Sequence, residues 1–146
     1  MKRSGALVGA LAILATACDD RTARDIHADV HVVTTRDDGL ASAAMERLAA
    51  RGGAALVHLE TGMHTAPDSA RLRLVALMRR IGDPDAIPIL RHAAVFDVSD
   101  EVRAACDDTL KTWAGESGSR AARAQQALTL AAEKRASGHG PVVRGP

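Results

Sequence analysis

Aromatic residues are almost missing: Phe96 and Trp113 are the only two in 146 residues, and there is no tyrosine. Proteins that handle single-stranded nucleic acid stack bases on aromatic faces, and this chain has almost none to offer. Cysteine is as scarce, with Cys18 and Cys106 alone, so at most one disulfide can form. No sign of charge dominates either: 19 basic residues stand against 18 acidic ones, and without residues 1–17 the balance is 17 to 18. A dedicated nucleic-acid binder shows a basic stripe, and none is visible. Catalytic motifs are absent too. The serines fall in loops, caps or the tail, none in a nucleophile elbow beside a base. Acidic residues gather at helix starts, where the helix dipole accounts for them. Gly52-Gly53 breaks a helix rather than cradling a phosphate. The expectation is a chain that is not an enzyme, carries no cofactor or metal, and binds no nucleic acid.

What is present begins with an address. Lys2 and Arg3 precede an uncharged stretch from Gly5 to Ala17. A membrane-spanning helix needs about 20 apolar residues, whereas a signal-peptide core needs roughly 7 to 15 followed by small residues at the cut. Residues 1–17 therefore read as a signal peptide. The segment Leu14-Ala15-Thr16-Ala17-Cys18 resembles a bacterial lipobox, which implies diacylglycerol on Cys18 and a lipid anchor in the cell envelope. Leu14 stands one place further from the cysteine than that pattern prefers, and Ala15-Thr16-Ala17 also suits ordinary secretory cleavage. Asp19 and Asp20 resemble an inner-membrane retention signal, although a solvated start to a tether accounts for them as well. Lipidation of Cys18 leaves Cys106 to be a small buried core residue; the alternative is a Cys18–Cys106 disulfide from a flexible end into a helix.

Residues 18–37 read as a lipid-bearing N-terminus and polar tether, with Val30 to Thr35 as a short extended stretch because β-branched residues dominate it. His27 and His31 are spaced for one helix face, as a metal site would need, but solvated tether histidines fit better with no third ligand in view. His58, His64, His92 and His139 form no cluster by spacing. From Asp38 the periodicity turns helical. Leu40, Ala44 and Leu48 share a face before Gly52-Gly53; Leu56 and Leu59 follow in a segment ending near Gly62, and His64 to Asp68 reads as a loop. Leu74, Leu77, Met78 and Ile81 mark the next helix, stopped by Gly82, and Asp83-Pro84 suits an N-cap and first helical position. Ile87 and Leu90 lie 31 residues after Leu56 and Leu59. Val102, Cys106, Leu110 and Trp113 echo Ala70, Leu74, Met78 and Ile81 at an offset of 32. Such recurrence is the mark of stacked repeats. Ser119 to Arg135 carries a thin stripe of Ala121, Ala124, Leu128 and Ala131, as a polar-backed end helix should.

Ile81 to Leu90 (IGDPDAIPIL) and Asp97 to Ala105 (DVSDEVRAA) together resemble HEAT repeats of the short, phycobilin-lyase-like kind. The likeness covers residues 38–114 and implies an all-α fold, a short α-solenoid of about three helix pairs; the thin apolar stripe beyond it reads as a capping helix at 115–136, and the glycine- and proline-rich composition of 137–146 as a disordered tail. It also implies that Arg71 and Arg103 reach aspartates in neighbouring turns, with Asp68, Asp97 and Asp100 as partners. Ala41 takes the arginine's place in the first copy. The family's second helices line a concave face, so Glu46, Arg73, Arg80, Asp108 and Lys111 are the candidate partner-binding surface. The implied role is a membrane-anchored protein-interaction module. A lyase-like or accessory protein and a ligand-binding repeat domain are the alternatives.

Overall fold

The structure, a computed structural model, describes residues 7–138, with side chains from residue 21 onward. It is all helical, with no strand among the described residues. Seven α-helices run in order: α1 (Leu7–Thr35), α2 (Gly39–Arg51), α3 (Leu56–Thr65), α4 (Asp68–Ile81), α5 (Ile87–Phe96), α6 (Asp100–Ala114) and α7 (Ser119–Ala136). Single 3-10 turns, Gly52–Ala55 and Pro84–Ala86, lead into α3 and α5. No described helix is long and apolar enough to cross a membrane.

Local chemistry sets the boundaries. The Asp38 carboxylate accepts from the N–H groups of Leu40 and Ala41 and starts α2, while the Ser99 hydroxyl accepts from Val102 N–H and starts α6. Asp83 caps the 3-10 turn that carries Pro84, and Gly82 ends α4 with a positive φ of 68° that a side chain would resist.

Helices pack as consecutive pairs, α1 on α2, α3 on α4 and α5 on α6, with α7 laid across α5 and α6. One row holds α2, α4 and α6; the other holds α1, α3, α5 and α7. The core between them is filled by Leu48, Leu59, Leu74, Leu77, Met78, Leu90 and Leu110, all fully buried. Each such side chain contributes about 2 kcal/mol by leaving water. Within the second row α3 and α5 touch least, and that spacing opens the cleft described below.

The N-terminal segment departs most from expectation. The stretch read as a tether, residues 18–37, is helical as far as Thr35, and its valines are not extended. Ile26, Val30 and Val33 fall on one face and are buried against the core. Local β preference spans only about 1 kcal/mol, less than the burial of one such side chain contributes. Ile26 and Val33 lie 30 positions before Leu56 and Met63, just as Ala44 and Leu48 lie 30 positions before Leu74 and Met78, and all eight are buried. The recurrence of buried positions thus extends back into α1, ahead of residue 38.

Smaller corrections follow the same logic. Leu40 is 55% exposed and Ala41 turns inward in its place. Gly62 does not end a helix: α3 runs on to Thr65, and a methyl added at Gly62 would sit 2.8 Å from Leu74 Cδ1 and 3.3 Å from Val30 Cγ1. The glycine is there to let α3, α4 and α1 approach. In α7, Ala121, Ala124, Ala127 and Ala131 are buried and Leu128 is half-buried. The tail from residue 139 lies outside the described residues, as do residues 1–6, and Cys18 lies where only the backbone course of α1 is described.

Candidate functional site

Arg71 is the arginine that joins two units. Its Nη1 donates to the Ala66 carbonyl at 2.8 Å, and its Nη2 donates to Asp68 Oδ1 at 2.9 Å and to Asp97 Oδ1 at 3.0 Å. Asp97, at the end of α5, also accepts from Ser99 N–H at 2.9 Å, so one carboxylate ties the α3–α4 turn to the α5–α6 turn. Both side chains are nearly buried, and Arg71 Nε is left without a partner. Arg103 differs. It donates to the Asp97 carbonyl and pairs with Asp100 in its own turn; the position 26 residues on, where Arg71 finds Asp97, is Thr129 inside α7 and offers no carboxylate. Within the first pair Arg47 of α2 holds the buried Asp29 of α1 through Nε at 3.1 Å and Nη2 at 2.6 Å.

The charged surface picked out by periodicity is largely consumed within the molecule. Arg80 and Glu46 pair in parallel, with both bonds at 2.5 Å; the hydrogen bond to Arg80 holds the Glu46 carboxyl below its ordinary range, and Glu46 raises Arg80 in return. Arg73 donates to the carbonyls of Val33 and Arg36 at 2.9 to 3.2 Å, satisfying the last turn of α1. Asp108 and Lys111 stand 3.8 Å apart, both well exposed, in a pair worth little. Only that last pair is left open to a partner.

The other row has relief. Between α3 and α5 lies a cleft of about 170 Å³, walled by Glu60, Met63, His64, Ile89, His92 and Phe96, with Arg71 and Asp97 beneath. Between α5 and α7 lies a groove of about 370 Å³ lined by Arg91, Val95, Phe96, Leu130, Ala131 and Lys134. His92 and Phe96 border both, their rings 5.0 Å apart, and His64 meets His92 edge-on at 6.1 Å. Phe96 is 40% exposed and the adjoining Val98 75% exposed, whereas Trp113 is buried beneath the guanidinium of Arg120 at 5.4 Å.

Sequence spacing treated the histidines as scattered, yet the fold pairs His64 with His92 and His27 with His58. A signal was there: His27 and His58 are 31 residues apart, the offset that links Leu56 to Ile87, and His64 and His92 are one helical turn short of it. Among the described residues no three His, Cys, Asp or Glu side chains are grouped to hold a metal ion. Cys106 is fully buried, and that burial, with Asp97 and Asp107 adding to it, pushes its thiol up to about 12. It is a packing residue without thiolate chemistry. No family model, no curated protein and no solved structure matches the chain.

Proposed function

We propose that the chain is a small HEAT-type interaction module, a short solenoid of three helix pairs capped by α7, held in a bacterial envelope through a lipid on Cys18. It grips a segment of a partner protein on the α3–α5–α7 face, around Phe96. The observation that carries this reading is Phe96 itself. In a chain with two aromatic residues, one is buried in the core and the other forms an exposed ridge between two clefts. An accessible aromatic beside concave apolar surface is the usual anchor of a protein–protein contact. Supporting the repeat assignment are the stretches IGDPDAIPIL and DVSDEVRAA, the recurrence of buried positions in all three helix pairs, and the Arg71–Asp97 tie between units.

The test is a photoreactive residue placed at position 96 or, separately, at position 46 in the full chain in cells, followed by crosslinking and purification. A discrete adduct from position 96 and none from position 46 is the expected result. An adduct from 46 alone returns the site to the α2–α4–α6 row, and none from either removes the module reading. The anchor is decided separately, by whether the intact mass of the membrane-extracted protein includes acyl chains at Cys18.

A further inference from the structure

Resting on the partner-binding reading and specifying its chemistry, we infer that the α5–α7 groove takes an acidic peptide segment that seats an apolar side chain beside Phe96. The floor of the groove is apolar, made by Val95, Phe96, Leu130 and Ala131. Its rim is cationic. Arg91 and Lys134 border it, and a further recess of about 200 Å³, sharing Arg91 and Leu130 with the first, extends it to Arg123. The arginines of α7 are each matched by a carboxylate: Arg120 by Glu116, Arg123 by Asp85 at 3.2 Å, and Arg135 by Asp107 at 2.8 Å. Arg91 and Lys134 have no carboxylate in reach among the described residues, although Arg91 is half-buried. A half-buried guanidinium without an anion is a binding position waiting for one, since bidentate carboxylate pairing is the strong form of this hydrogen bond. Glu133 is the only carboxylate along the described groove, against the two unmatched cations Arg91 and Lys134 and an Arg123 already paired with Asp85.

Across the Phe96 ridge the sign reverses. The α3–α5 cleft presents Glu60 and Asp97, and its one arginine, Arg71, is already held by Asp68 and Asp97. A ligand's acidic residues are therefore directed to the α7 side. Arg123 and Lys134 are 11 residues apart on α7, about 16 Å of helix, which about five extended residues span.

The experiment selects a display library of random twelve-residue peptides on the full chain in detergent and, in parallel, on an Arg91→Glu/Lys134→Glu variant whose fold is checked by circular dichroism. Lys134 is exposed and Arg91 half-buried, and Arg91→Gln/Lys134→Gln serves if the reversal unfolds the chain. Expected from the native chain are peptides with one large apolar residue and at least two acidic ones, binding about tenfold more weakly to the variant and weakening with salt. Peptides without acidic bias, or with affinity unchanged in the variant, overturn the inference; if Phe96→Ser still abolishes their binding, the partner-binding reading stands without it. No enriched peptide also overturns it, while the crosslink at position 96 independently decides that reading. Binding to phosphatidylglycerol vesicles that the variant loses, with no peptide enriched, gives the groove to a lipid headgroup and overturns the peptide assignment.

Discussion

The two rows of helices spend their charge differently. In α2, α4 and α6 nearly every conspicuous side chain already has an internal partner: Glu46 with Arg80, Arg73 with the end of α1, Arg47 with Asp29. In α3, α5 and α7 the surface keeps clefts, an exposed phenylalanine and two unmatched cations. Charge at an outward position says little about availability, because what matters is whether a neighbouring helix has already answered it.

The comparison breaks most readily at its first member. Val33→Asp puts a carboxylate at a fully buried position of α1 and costs about 4 kcal/mol or more, read as loss of the cooperative thermal transition. A near-neutral result would return α1 to the role of a loose tether. Next, Arg71→Ala strips the tie beneath the α3–α5 cleft and leaves Asp97 buried with only Ser99 N–H, a loss of about 3 kcal/mol by denaturant titration. Cys106 gives a pH signature. Its thiol stays neutral in the fold to about pH 12 but ionises near pH 9 in the unfolded chain, so stability falls as pH rises from 9 towards 12. The slope is about 1.4 kcal/mol per pH unit, absent in Cys106→Ala when the two are titrated together.

Gly62→Ala is smaller. The methyl crowds Leu74 and Val30, while alanine returns up to about 1 kcal/mol of helix propensity, so the net loss is about 1 kcal/mol, seen as a fall in Tm of a few degrees. Smallest of all, Glu46→Gln with Arg80→Gln leaves Tm and partner crosslinking unchanged. A loss of crosslinking there would erase the contrast between the rows.

From α3 onward the fold is legible in the sequence, because Gly82, Asp83-Pro84 and Ser99 punctuate the helices chemically and the 31- to 32-residue recurrence sets their stacking. The segment ahead of Thr35 is not. Val30, Val32, Val33, Thr34 and Thr35 favour extended chain locally, and only the partner helices, which a local pattern cannot see, make Ile26, Val30 and Val33 a helical face. Gly62 misleads for a related reason: a glycine looks the same in sequence whether it ends a helix or admits a neighbour. The Phe96 site needed three dimensions as well, since its walls come from three helices and its unmatched charges are recognised only once the matched ones are known.

The continuity of α1 also has a mechanical side. Ile26, the first buried residue among the side chains described in α1, follows Cys18 by eight positions, about 12 Å of helix. A lipid at Cys18 would then carry the body on a stiff mast rather than a leash. The domain would stand close against the bilayer at a nearly fixed tilt, sweeping a narrow arc, and would meet partners lying flat on the same leaflet far more readily than those reaching in from a distance.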